Sequence, residues 1–528
     1  MSGKTESGAS LKDVYRDYFL LGNIVSARNL EGARLDLLTR HFSIATAENA
    51  MKPASLQRER GVFTFEAADA MVNQVLAAGM LMHGHTLAWH QQSPDWMNRE
   101  GIDREEAVEN LITHTKTVAE HFKGRVISWD VLNEAVIDNP ADPSDWAASL
   151  RKTPWLTAIG PEYIEIVFKA AREADPEAKL YYNDYNLDSR EKAQAVYTMV
   201  KALNEKNPDV GGRPLIDGVG MQGHYRVSTN PEDVRVSLES FIALGVEVSI
   251  TELDVQAGAD SVLTEKQGVE QGISYARLFQ VFKAHAAQIG RVTFWGLDDS
   301  TSWRSAANPT VFDKDLKEKP AYYAILDPET YIQDNKTIFA GDVKQGEARY
   351  GTPRLGDDSL WESAAELPVN QYLMAWQGAF GTAKVLWDER NLYVRVNVQN
   401  AELNMANPAA HEQDSVELFV DENNGKTSYY ENDDGQYRIN FAGDLSVNPG
   451  VAAEGIESSA LAEEGAYTVE MKIPFKTLKP GPDTIIGFDV QINGASERGV
   501  RQSVAVWNDT SGESYRSTSG FGVLKLVK

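Results

Sequence analysis

The sequence predicts an α/β chain, a (β/α)8 TIM barrel followed by an all-β sandwich. Three observations carry that expectation. Over about 310 residues, short apolar runs alternate with helical patterns. Nearly every run starts apolar and ends in Glu, Asn, His, Gln, Asp or Trp. After Asp327 the helical patterns give way to alternating strand patterns separated by turn dipeptides. A doubly wound open sheet would also alternate strand with helix. The polar run ends favour the barrel, because a barrel gathers them on one face, where its active site sits.

The runs come in order as YFLLGNIV (18–25), FSIATAENA (42–50), MLMHGHTLAW (80–89), VISWDVLNE (126–134), KLYYNDYN (179–186), DGVGMQGHY (217–225), VEVSITELD (246–254) and VTFWGLDD (292–299). Val, Ile, Tyr and Phe suit a pleated, buried surface. Between the runs lie segments whose apolar residues recur at three- and four-residue steps: 66–79, 105–122, 161–175, 189–206, 231–245 and 268–290. Pro161 and Pro231 fall at first helical turns, and Gly79, Gly245 and Gly290 fall where helix C-caps belong. The stretch 331–347 reads as a linker between a barrel over 11–330 and a sandwich over 348–528. In the sandwich, strands are expected in AKVLWDERNLYVRVNVQN, DSVELFVDENNG, QYRINFAG, YTVEMKIPF, IIGFDVQING and FGVLKLV. Turns are expected at Asn424-Gly425, Asp434-Gly435 and Asn493-Gly494.

Composition narrows the chemistry. The 528 residues exceed what one hydrophobic core organises, and 42% apolar with 24% charged residues is ordinary for a globular protein. Fifty-one basic against 77 acidic side chains leave a net charge of −26, which repels phosphate backbones and anionic lipid. Nucleic acid and membrane are therefore not expected partners. With no cysteine, disulfides, thiolate zinc sites and cysteine nucleophiles are excluded together. No run approaches the 18–20 or so apolar residues of a membrane span. The polar start MSGKTESGAS lacks a signal peptide's apolar region, so the expectation is either a secreted protein with its signal removed or a cytoplasmic one. A monomer is expected.

The run ends carry the site. A buried strand should not stop on a carboxylate without a reason, since an uncompensated charge beside a core is costly. Glu134 nevertheless closes the fourth run and Glu252 the seventh, and a barrel can turn these two ends toward each other. Glycosidic hydrolysis needs two such carboxyl groups, one to donate a proton to the leaving oxygen and one to attack or stabilise the anomeric carbon. The other ends supply Glu48, Asn49 and Lys52; His85, Trp89 and Gln92; Asn183 and Tyr185; Gln222 and His224; Trp295, with Trp303 in the loop beyond. Amides, carboxylates and Lys suit a sugar's hydroxyl edges, and indoles suit its C–H faces. No Gly-rich phosphate loop is present. His83, His85 and His90 offer a zinc cluster as the competing reading. Trp129, Trp146 and Trp155 read as packing, and Asp130 as a structural hydrogen-bonding acid.

In order, the motifs TAENAMKP, HGHTLAWHQQSPDW, WDVLNEA, NDYN, QGHY, TELD and FWGLDDSTSW resemble the family 10 glycoside hydrolases, the retaining endo-β-1,4-xylanases, over roughly 11–327. The resemblance implies retaining endo-hydrolysis of xylan and xylo-oligosaccharides without a cofactor. It makes Glu134 the acid/base and Glu252 the nucleophile of a covalent glycosyl-enzyme, with carboxyl groups roughly 5–5.5 Å apart. It also implies that Glu48, Asn49, Lys52, Trp89 and Gln92 hold the sugar two units upstream of the scissile bond. His85, Asn133, Gln222, His224, Trp295 and Trp303 would surround the sugar at the cleavage point. A β-1,4-glucan-preferring endoglycosidase and a non-catalytic xylan-binding protein are the alternatives.

The C-terminal stretches AKVLWDERNLYVRVNVQN, EQDSVELFVDENNGKTSYYENDDGQYRIN and FGVLKLVK resemble a family 9 carbohydrate-binding module. Binding members of that family hold a sugar between two tryptophans, and the motifs put His411 and Tyr515 at those places. Glu417 and Arg438 match polar positions of the family site. Smaller rings imply weak sugar binding and, in its place, a stabilising role against the barrel. The resemblance also implies structural calcium among the module's acidic turns, with no ligands assigned.

Overall fold

The computed structural model describes residues 9–335, 343–357, 359–375, 377–448 and 453–528. The chain divides into two compact units, Met1–Gln333 and Asp334–Lys528.

In the first unit the strands are β1 (Leu20–Val25), β2 (Ile44–Ala47), β3 (Leu81–Trp89), β4 (Ser128–Asn133), β5 (Lys179–Asp184), β6 (Gly218–Met221), β7 (His224–Arg226), β8 (Glu247–Gln256) and β9 (Ile289–Phe294). Each of β1 to β5 pairs in parallel with the next, β6 pairs with β8, β8 with β9, and β9 with β1, which closes the barrel. All eight runs read from the sequence thus become barrel strands. The sixth is interrupted: Gly223, at φ +82°, lets the chain turn after β6 and resume as β7 along β8. Burial along β4 and β6 is continuous, as expected where helices cover the outside and side chains fill the inside.

Helices follow the predicted segments. Asp103 caps the helix Arg104–Phe122 by accepting from Glu106 N, and Thr264 with Gln267 forms a capping box on Glu265–Ala284. Pro231 opens Pro231–Ala243 at its first turn, whereas the helix after Pro161 starts only at Tyr163. Gly79 and Gly245 have positive φ just past their helices. Gly290 does not: it lies inside β9, where a Cβ would meet Glu247 Oε1 at 2.1 Å, so close approach and not a cap explains it. Trp129, fully buried in β4, packs where Gly84 of β3 lacks a side chain.

The stretch read as a linker is shorter than 331–347. A helix over Pro328–Asn335, with Asp327 accepting from Thr330 N, runs into it from one side, and the strand Gln345–Tyr350 enters from the other. Residues 336–342 of that stretch lie outside the described residues.

The second unit is one long, mostly antiparallel sheet whose two halves share a core. Ser415–Asp421, Asp434–Asn440 and Ile485–Ala495 make one half. Phe380–Trp387, Asn391–Gln399 and Ala466–Pro474 make the other. Gln345–Tyr350 and Gly522–Val527 join them. Val416, Leu418 and Val490 from the first half meet Val385, Val396 and Val469 from the second, which is the inside of a sandwich. Two expected turns are strand residues instead. Gly435 and Gly494 sit within strands, where a Cβ would meet Tyr437 Oη and Ser503 Oγ, each at 2.3 Å. Only Asn424-Gly425 turns, with Asn424 at φ +52°.

Candidate active site

A cleft of about 530 Å³ opens at the C-terminal ends of the barrel strands. Glu48, Asn49 and Lys52 enter it from beyond β2, His85 and Trp89 from β3, and Gln92 from the turn that follows. Asn133 and Glu134 come from β4 and its end, Tyr185 from beyond β5, and Gln222 and His224 from either side of Gly223. Glu252 comes from β8, and Trp295 and Trp303 from beyond β9. Asn183 is the expected residue that does not line the cleft; it lies beneath it, fully buried. Gln91, Asn186 and Arg304 line the cleft without having been singled out. The signals for them were sequence neighbourhood: Gln91 precedes Gln92, Asn186 ends NDYN, and Arg304 follows Trp303.

Glu134 sits at φ +58°, an unusual conformation for a residue with a Cβ. Its amide donates to Asn183 O at 2.9 Å, and its carbonyl accepts from Arg151 Nε at 3.1 Å. The carboxyl accepts from Trp89 Nε1 and from Gln222 Nε2, both at 2.9 Å. Burial pushes this carboxyl above its ordinary range, and the charges of Asp184 and Glu252 push the same way, against the two hydrogen bonds.

Glu252 is treated oppositely. It accepts from Asn183 Nδ2 at 2.9 Å and from His224 Nε2 at 3.1 Å. Burial alone would raise its carboxyl, but the hydrogen bond from His224 and the fields of His85 and His224 outweigh burial and hold it below the ordinary range. His224 also donates through Nδ1 to Asp254 Oδ2 at 2.9 Å. Burial works against the imidazolium, yet Asp254 and Glu252 raise its pKa to about 9, so at neutral pH it is a cation with a carboxylate on each nitrogen.

Asn183 keeps its orientation because its Oδ1 accepts from Thr251 Oγ1 at 2.6 Å, which leaves Nδ2 for Asn133 Oδ1 and Glu252. Gly220 makes this possible: a Cβ there would stand 2.3 Å from Asn183 Oδ1. Asn133 Oδ1 also accepts from Gln222 Nε2 at 3.3 Å. A continuous line of side-chain amides therefore runs from Glu134 through Gln222, Asn133 and Asn183 to Glu252.

Lys52 donates to Asn49 Oδ1 at 2.9 Å and lies 5.2 Å from the Trp89 ring centre. Burial lowers its pKa against the fields of Glu252, Glu48 and Glu134, while burial raises Glu48 against Lys52 and Arg28. Two members of the competing histidine cluster, His83 and His85, are otherwise engaged. His85 Nδ1 and His83 Nε2 both meet Asp130 Oδ2, at 2.9 and 3.1 Å, and Asp130 is a buried structural acid held well below the usual carboxylate range despite burial. Tyr185 is held by Arg151 Nη2 at 3.0 Å and donates to Asp138 at 3.1 Å. Trp129 and Trp155 are core, and Trp146 packs against the core.

The module has a cavity of about 580 Å³, and His411, Glu417, Arg438 and Tyr515 all line it. Elsewhere in the module, Asp421, Asp433 and Asp434 can each bring one oxygen within 4.8 Å of the others; among the described residues this is the one group with metal-ligating geometry. Burial pushes all three carboxyls up, Asp433 to about 6 with help from its acidic neighbours. Asp434 Oδ1 and the nearby Asn424 Oδ1 are buried without a hydrogen-bond partner. Hard, oxygen-only ligands with spare lone pairs fit calcium.

A model described as glycosyl hydrolase family 10 matches residues 10–328, and one described as carbohydrate family 9 binding domain-like matches 355–528. Endo-1,4-β-xylanase A of Thermotoga neapolitana is 32% identical over 98% of this chain and 66% of its own length. Endo-1,4-β-xylanase A of Thermoanaerobacterium saccharolyticum is 36% identical over 98% of this chain and 43% of its own. An exoglucanase of Acetivibrio thermocellus is 37% identical over 98% and 46%. The chain thus spans about half to two thirds of the length of these relatives. Among solved structures, an intracellular xylanase from Thermoanaerobacterium saccharolyticum in complex with xylotetraose is 40% identical, with TM-score 0.56, covering 61% of this chain and 99% of that one.

Proposed function

We propose, from the premise that this chain belongs to glycosyl hydrolase family 10, that it cleaves internal β-1,4-xylosidic bonds of xylan with retention of configuration. The observation that carries the roles is the opposite treatment of two carboxyls in one cleft: Glu134 is pushed toward its protonated form and Glu252 toward its ionised form. Glu134 would protonate the leaving oxygen while Glu252 attacks the anomeric carbon. Glu134, then ionised, would take a proton from the water that releases the sugar. Asn133, Gln222 and the indoles would hold the ring. No cofactor takes part in this scheme.

Reducing-sugar release from xylan, set beside release from carboxymethylcellulose, tests the reading. Faster release from xylan supports it, and no release from either favours the non-catalytic alternative. Preference for the cellulose derivative would favour the glucan alternative, for which the exoglucanase relative speaks. Glucose carries a hydroxymethyl group where xylose has hydrogen, so that choice rests on the space beside Gln92 and Trp303. An α-configured first product, seen by NMR, would remove retention.

For the module we propose weak binding of neutral sugars, because His411 and Tyr515 offer less stacking face than two indoles. Asp421, Asp433 and Asp434 would hold a calcium ion, whose two positive charges would offset most of the charge of the three buried carboxyls and tie the turn at Asn424 to the strand at Asp434. A second role is to stabilise the barrel; melting curves of the full chain and of residues 1–333 test it, and equal midpoints would remove it. A monomer is proposed, to be read by light scattering. Secretion is proposed because polymeric xylan does not cross a membrane. The relative described as an intracellular xylanase sets the alternative, and cell fractionation decides. Among the described residues no helix is long and apolar enough to cross a membrane.

A further inference from the structure

The module cavity holds a charge that its sugar-binding role does not use. Its floor is Glu417, 2% exposed. That carboxylate accepts from Arg438 Nη2 at 2.8 Å, from Asn493 Nδ2 at 2.7 Å, from Gln491 Nε2 at 3.3 Å, and from Gln436. Glu417 and Arg438 therefore neutralise each other, and the floor carries no net charge.

Arg501 lines the same cavity and is placed differently. Its guanidinium donates to Asn493 Oδ1 through Nη1 at 3.3 Å, while its Nε is buried without a hydrogen-bond partner. Among the described residues it forms no ion pair, in a chain whose acidic side chains outnumber its basic ones by 77 to 51. Guanidinium presents five donors in a planar fork that matches a carboxylate, and buried donors left unused are costly. Around it, Met374, Phe419, Val504 and Tyr515 supply apolar walls suited to the C–H face of a ring. A neutral sugar would offer the fork hydroxyl oxygens but no opposite charge; an anion without a ring would leave the walls uncovered.

We propose that this cavity binds a uronic acid, a sugar whose C6 is a carboxylate, with that carboxylate on Arg501 and the ring against the apolar wall. The proposal rests on the module being a sugar site and adds the charge class of the sugar. Xylan-type polymers that carry acidic side groups would then be held by their anionic decorations, away from the neutral backbone that the barrel cleaves. The excess negative charge of the chain repels anions in general, so selection for an acidic sugar depends on this one local cation.

The test is calorimetric titration of the full chain with D-glucuronate, D-glucose and acetate. Glucuronate and glucose share a ring and differ in the carboxylate; acetate has the carboxylate alone. Glucuronate should bind at least tenfold more tightly than either, and added salt should weaken it. Arg501→Gln should remove the preference for glucuronate over glucose, whereas Arg501→Lys should keep part of it. A melting curve with the same midpoint as the parent shows that the variants fold. Equal binding of glucuronate and glucose, equal binding of acetate, binding of none, or a preference that survives Arg501→Gln would each overturn the proposal. Tight glucose binding would instead overturn the reading of weak neutral-sugar binding, and xylan turnover reads the barrel independently of both.

Discussion

Trp303 and His224 share one acceptor. The indole Nε1 and the imidazole Nδ1 donate to the same oxygen, Asp254 Oδ2, at 3.0 and 2.9 Å, and Arg304 reaches the other oxygen at 3.3 Å. Asp254 is fully buried, so a wall of the cleft and the cation that keeps Glu252 ionised are fixed by one carboxylate out of the substrate's reach.

Asp254→Asn should therefore act on both at once. His224 would lose its main anionic partner and its pKa would fall from about 9. Glu252 would lose a charged donor, and the acidic limb of the kcat/KM profile should move to higher pH. Loss of one or two charge-assisted hydrogen bonds corresponds to about a tenfold to hundredfold fall in kcat/KM. An unchanged acidic limb would count against the coupling.

The same cation makes stability depend on pH. The folded pKa of His224 lies above its unfolded value near 6.5, so its contribution is complete below about pH 6.5 and is lost as pH rises through about 9. A rise of that size is worth about 3 kcal/mol. Urea unfolding at pH 6 and at pH 9.5 should differ by an amount of that order in the parent chain and by much less in His224→Gln.

The basic limb of activity should report Glu134, whose carboxyl burial raises. Glu252→Gln removes a negative charge that adds to this rise, so the Glu134 pKa should fall. Carbon-13 titration of the inactive variant checks this, and no movement would exclude a direct interaction between the two groups.

Leaving-group dependence separates the two glutamates. Glu252→Ala should abolish turnover of every substrate. Glu134→Ala should slow xylan hydrolysis by about 10²–10⁴-fold. It should spare the first step for aryl glycosides with acidic leaving groups, visible as a burst of released phenol.

Chelation should act on the module. If Asp421, Asp433 and Asp434 hold calcium, added calcium should raise its melting midpoint in a concentration-dependent way and a chelator should lower it. Asp434→Ala should abolish both effects without altering turnover of a short soluble substrate.

Much of the barrel was legible because strand and helix periods alternate strictly and each strand ends in polar residues such as Asn133 and Glu134. What escaped notice was what depends on contact between distant residues. Gly290 and Gly494 carry the local signature of caps and turns, but their true constraints are Glu247, distant in sequence, and Ser503, on the strand paired alongside. The strands Glu366–Val369 and Gln371–Met374 are too short to give a periodic signal, although Leu367 and Val369 are buried, and Glu457–Glu463 is largely exposed. Asp254 closes the TELD motif, yet its place as the shared acceptor needs β7 beside β8, which only the break at Gly223 allows. Arg501 had no motif around it at all.

The backbone at Glu134 favours a residue other than the one the proposed chemistry requires. A left-handed φ costs a side-chain-bearing residue about 1 kcal/mol, while glycine adopts it freely. Erasing the acid by Glu134→Gly should therefore release strain while leaving a vacancy the size of the lost side chain. Such a variant would be a sturdier disabled enzyme than its alanine counterpart. It would suit the trapping of intact sugar chains, or the use of small external acids to supply the missing proton.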